Sequence, residues 1–95
     1  MRIPQTTRQT IKNLVSRLIP DSECYLFGSR TLDDAKGGDI DLLLLTPEKI
    51  ALGQILRLRR EILNRIGEQK IDIVNFPKTS NHPFLKIAMD GAIQL

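Results

Sequence analysis

Tryptophan is absent from this chain, and its aromatic residues are Tyr25, Phe27, Phe76 and Phe84. A core must therefore be built mainly from Ile, Leu and Val. One cysteine, Cys24, and one histidine, His82, exclude an internal disulfide framework and a cysteine-rich zinc centre. Cys24 lies in the apolar run ECYLF and reads as a small buried hydrophobe rather than a reactive thiol. No run approaches the ~18 apolar residues of a membrane helix, and MRIPQTTRQ lacks the apolar centre of a signal peptide. The expectation is a soluble, cytoplasmic protein. Internal repeats, low-complexity tracts and linkers are also missing.

What is present is 95 residues, 41% of them hydrophobic, which is one domain's worth spanning 1–95. A domain of that size buries about 60–68% of its unfolded surface, a narrow margin that a second chain would widen. The net charge of +3 suits an anionic ligand without requiring nucleic acid.

Apolar periodicity divides the chain into alternating elements. Ile11, Leu14, Val15, Leu18 and Ile19 recur at helical spacing and predict a helix over 7–19, with Thr6 or Thr7 as its cap. Strands are expected at 23–27 and 39–45. In the second, Asp39, Asp41, Leu43 and Leu45 share one face and Ile40, Leu42 and Leu44 the other. Apolar residues on both faces mark a central strand. Thr46-Pro47 predicts the start of a helix over 47–66, with Leu52, Ile55, Leu56, Ile62, Leu63 and Ile66 as its buried stripe and an Arg57–Glu61 pair outside. Gly67 would stop it. A third strand over 70–76 and a helix from Pro83 to about Gly91 follow, with His82 in a capping or exposed role. The tail Ala92–Leu95 adds a short strand or docks on a partner. The fold class is therefore α/β (α+β), a small mixed sheet flanked by helices. The helical crossover makes strands two and three parallel, and the short link makes strands one and two antiparallel.

This topology carries the polar residues to one end of the sheet. Asp39 and Asp41 open strand two, Asp72 opens strand three, and Gly28-Ser29 closes strand one, which runs the other way. Three converging carboxylates repel one another unless a cation joins them. Oxygen ligands without Cys or His select Mg²⁺ over zinc. The Gly28-Ser29 turn offers N–H groups and a hydroxyl to phosphate, and Arg30 adds positive charge. The constellation points to two-metal phosphoryl or nucleotidyl transfer, with Asp39, Asp41 and Asp72 as metal ligands and catalytic residues. Singly, Gly-Ser-Arg is a common turn and Asp-x-Asp a common solvated strand end. The weight lies in the combination.

At "LFGSR…GGDIDLLLL…KIDIVNF" the chain resembles the minimal nucleotidyltransferases of the DNA polymerase β superfamily, over nearly its whole length. Gly28, Ser29, Asp39, Asp41 and Asp72 fall on that family's pattern. The resemblance implies a polymerase-β-like fold and Mg²⁺-dependent attack on the α-phosphate of a nucleoside triphosphate, with loss of pyrophosphate. It also implies a separately encoded helical HEPN partner. In several such pairs the small chain is an antitoxin that transfers AMP from ATP to a tyrosine of its toxin. The loop departs from the pattern: Thr31-Leu32-Asp33-Asp34 stands where many relatives have a further glycine, which bears on Arg30 more than on the aspartates.

Three functions compete on this sequence. One is nucleotidyl transfer. The second is a non-catalytic antitoxin that neutralises a partner by contact. The third is a basic nucleic-acid binder using Arg57, Arg59, Arg60 and Arg65, which is disfavoured because no aromatic platform for bases is visible. The full acid set favours the enzyme. A second subunit, whether a HEPN protein or a second copy of the chain, is expected to complete the cleft.

Overall fold

The computed structural model describes residues 4–28, 40–67 and 69–95. Among these residues the elements run α1 (Gln5–Leu18), β1 (Glu23–Phe27), β2 (Ile40–Thr46), α2 (Leu52–Ile66), β3 (Ile71–Pro77), α3 (Pro83–Met89) and β4 (Ile93–Gln94). The strands form one mixed sheet in the order β3-β2-β1-β4. β2 pairs parallel with β3 and antiparallel with β1, and β4 adds antiparallel to the far side of β1. The tail therefore forms a strand.

β2 is an inner strand because both its faces are apolar. Leu42, Leu43 and Leu44 are fully buried, each contributing about 1.5–3 kcal/mol. Ile40, Leu42 and Leu44 turn to the side covered by α1 and α2, where they meet Ile11, Leu14, Val15, Leu58 and Ile62. Leu43 and Leu45 turn to the other side and pack with Ala88 and Leu85 of α3. Asp41 alternates with Ile40 and so shares the α3 side with Leu43.

Several sequence expectations need correction. α1 begins at Gln5 behind Pro4, with no side-chain cap, so Thr6 and Thr7 lie inside the helix. α2 begins at Leu52 rather than at residue 47. Thr46 does not cap it: its hydroxyl donates to the carbonyl of Glu48. The reason lies in β3. Buried Asn75 accepts from the Ile50 amide at 2.9 Å and donates to the Leu44 carbonyl and to Thr46 Oγ1. It thereby holds residues 47–51 in a turn. The helix start is served instead by Gln54, whose Oε1 accepts from the Ala51 amide at 3.2 Å.

The stripe of α2 is as expected at Ile62, Leu63 and Ile66, which face the core, and differs in its first half. Leu58 and Ile62 are its buried residues, while Leu52 and Leu56 are 67% and 53% exposed. Glu61 pairs with Arg65 at 2.9 Å, not with Arg57. The Arg65 hydrogen bond is the largest influence holding the Glu61 carboxyl below its ordinary value. Arg59 turns inward, and its Nε donates to the Ile71 carbonyl at 3.0 Å. Gly67 ends the helix as expected.

Candidate active site

The register decides where the acids lie. Phe27 stands opposite Asp41, and Asp41 opposite Asp72. Directly paired residues on neighbouring strands project from the same face with backbones about 4.8 Å apart. Asp41 and Asp72 are thus side-by-side carboxylates at the start of two parallel strands. Asp41 is half-buried and Asp72 exposed. Ser29, Arg30 and Asp39, the other expected site residues besides Gly28, lie outside the described residues.

Gly28 follows β1 with φ +76°, a conformation that L side chains rarely adopt. A Cβ built there would lie 2.6 Å from Asp41 Oδ2. Two separate constraints therefore demand glycine: the backbone angle and the carboxylate against the turn. The Asp41 carboxylate sits against the backbone that the sequence nominates for phosphate.

Beside the acids the same face carries an apolar wall. The Phe27 ring meets Phe84 of α3 edge-on, with centroids 6.1 Å apart. Phe84 also lies 6.1 Å from Phe76, which packs on His82 at 5.2 Å. These residues come from β1, β3 and the start of α3, so no local sequence signal announced the cluster. His82 itself is structural: its Nδ1 accepts from the Phe84 amide at the helix start. Tyr25 is half-buried on this face. Its hydroxyl donates to Glu23 at 2.8 Å, and that hydrogen bond is the leading cause of its raised pKa. Cys24 faces the opposite core, where burial pushes its thiol up to about 12, so it takes no part as a nucleophile.

The donor set described here is two carboxylates and no softer ligand, which fits a hard divalent cation. Among the described residues no group of three His, Cys, Asp or Glu comes together. The pair needs a third oxygen donor, and Asp39 is two residues from Asp41 in sequence. Among the described residues no helix is long and apolar enough to cross a membrane.

The family model described as "Polymerase beta, Nucleotidyltransferase" matches residues 9–94. The chain belongs to that family. No curated protein sequence gives a significant match. Solved structures confirm the fold. A chain of the complex between a tri-AMPylated Shewanella oneidensis HEPN toxin and its MNT antitoxin is 22% identical, with a TM-score of 0.71, covering 95% of this chain and 69% of that one. A chain of the MntA–HepT toxin–antitoxin complex is 18% identical, with a TM-score of 0.72 and coverage of 96% and 70%. A third, from Shewanella oneidensis, is 15% identical, with a TM-score of 0.72 and coverage of 98% and 71%.

Proposed function

We propose that this chain transfers a nucleoside monophosphate, AMP from ATP, to a hydroxyl on a partner protein, a tyrosine of a HEPN toxin, and so acts as an antitoxin. The observation that carries this reading is the Asp41–Asp72 register pair with Gly28 closed against the Asp41 carboxylate. Membership of the nucleotidyltransferase family supports the reaction class. The AMPylated toxin in one structural relative supports the acceptor.

Asp39, Asp41 and Asp72 would hold two Mg²⁺, which would neutralise the triphosphate and lower the pKa of the acceptor hydroxyl. Gly28 and Ser29, with Arg30, bind and orient the phosphates. Asp72, the more exposed of the described pair, faces solvent where an acceptor arrives and takes its proton. The acceptor oxygen forms a bond to the α-phosphorus. The bond from that phosphorus to the bridging oxygen breaks, and pyrophosphate leaves with the electron pair.

The test is transfer of label from α-³²P-ATP to the HEPN partner. Asp41→Asn should lower the rate by about a hundredfold to a thousandfold, the range of losses when charge stabilisation at a transition state is removed. Full activity in Asp41→Asn would sink the mechanism. The exposed leucines of α2 keep a second reading in view, an antitoxin acting by contact alone. Under it, Asp41→Asn still protects cells from the toxin.

A further inference from the structure

We infer that the first half of α2 and the groove beside it dock a helix of another protein, one with an apolar stripe flanked by acidic residues. Leu52 and Leu56 are 67% and 53% exposed one turn apart. Between them Gly53 has nothing within 4 Å of an added Cβ. A glycine inside a helix costs about 0.8–1.0 kcal/mol relative to alanine, and no packing contact among the described residues requires it. It leaves a shallow seat into which a neighbouring helix fits closely. The outer face continues into Arg57 and Arg60, both exposed. Farther along, Glu61 is engaged by Arg65. Glu48 lies in the turn before the helix, next to Lys49.

Beside Leu52 runs a groove of about 410 Å³ lined by Lys49, Ile50, Ile55, Ile73 and Phe76. Its floor is the outer margin of β3, an edge strand. An added strand is the obvious rival occupant, but both ends of this edge are blocked. The Lys70 carbonyl accepts from Ile40, so alternation turns Ile71, Ile73, Asn75 and Pro77 outward. Arg59 takes the Ile71 carbonyl. Pro77 has no N–H, and its carbonyl accepts from Ser80. Ile73 and Asn75 are left, too short a run for stable strand addition. Side-chain docking of a helix fits the groove. A second copy of this chain fits poorly, because mating two such faces brings Arg57 and Arg60 against their equivalents on two molecules of net charge +3.

Ile50 and Ile73 belong to the side of the sheet opposite Asp41 and Asp72, and the groove wraps the β3 edge to reach Phe76 on their side, at the far end of the strands from the two carboxylates. Docking there leaves the carboxylates open to the acceptor. The inference deepens the partner reading above but does not require transfer to occur.

The full chain is titrated, without nucleotide, into two labelled synthetic helices of about 20 residues with the same leucine stripe. One carries glutamate flanks, the other lysine flanks. The glutamate helix should bind, more weakly as salt rises. Leu56→Glu should weaken it about tenfold or more, with an unchanged melting curve showing that the variant folds. Arg57→Glu with Arg60→Glu should reverse the preference between peptides. Equal binding of both peptides, no binding below about 1 mM, or an unaffected Leu56→Glu overturns the inference. So does a dimer of this chain that Leu56→Glu dissociates. Transfer is read separately through Asp41→Asn, so either reading can fail alone.

Discussion

Gly28 carries more constraint than any other described glycine. Replacing it with alanine puts a methyl 2.6 Å from Asp41 Oδ2 and holds that residue at positive φ. The expected cost is about 1–3 kcal/mol, which lowers the melting temperature by about 4–8 °C per kcal/mol in a domain of this size. Because the carboxylate must shift, transfer should fall further than stability alone accounts for. Thermal denaturation and the labelled-ATP assay together separate the two effects. Cys24 gives a pH signature. Burial raises its thiol from 9.0 to about 12 in the folded state, so above pH 9 the unfolded chain releases a proton that the folded chain retains. The stabilisation is whole below pH 9 and is lost as pH rises toward 12. Urea titrations across that range should show falling stability, flatter in Cys24→Ala. Native Cys24 should resist thiol reagents at pH 8.

At the scale of elements, one side chain sets the junction between β2 and α2. Asn75 holds the Ile50 amide, the Leu44 carbonyl and the Thr46 hydroxyl from a 7% exposed position. Asn75→Ala strands the Ile50 amide and takes a donor from the Leu44 carbonyl and the Thr46 hydroxyl, at about 1–3 kcal/mol for a polar group left unpaired. Chemical denaturation measures the loss. Hydrogen exchange at Ile50 should accelerate while the β1 amides stay protected. The same contact explains why α2 could not be placed from sequence. Thr46-Pro47 is a sound local start signal, but it is overruled by a residue 25 positions beyond Ile50. The expected stripe of α2 holds at Ile62, Leu63 and Ile66 but misses at Leu52 and Leu56 for a related reason: leucines sit on two sides of this helix, and periodicity alone does not say which side meets the sheet.

For the whole molecule, the proposed cation site predicts a linkage between cation binding and stability. Asp41 and Asp72 stand side by side on parallel strands, and like charges so placed oppose folding until a cation joins them. Millimolar Mg²⁺ should therefore raise the melting temperature, through preferential binding to the folded state. Asp72→Asn should remove most of that rise without lowering the melting temperature in the absence of the metal. An equal rise in the variant would show that Mg²⁺ binds elsewhere.

Much of the fold was legible without coordinates. Alternation in IDLLLL identified an inner strand, the helical link between β2 and β3 required them to be parallel, and the short link from β1 required an antiparallel pair. Those features follow from local periodicity and chain connectivity, which a sequence states outright. Asp41 and Asp72 were legible as an acid set for the same reason. Their exact pairing was not, because register depends on how whole faces of β2 and β3 bury against α1, α2 and α3. The closure of Gly28 on Asp41, the Phe27–Phe84 wall and the exposure of Leu52 and Leu56 were likewise decided in three dimensions. Each depends on residues distant in the chain meeting, or failing to meet, across packed elements.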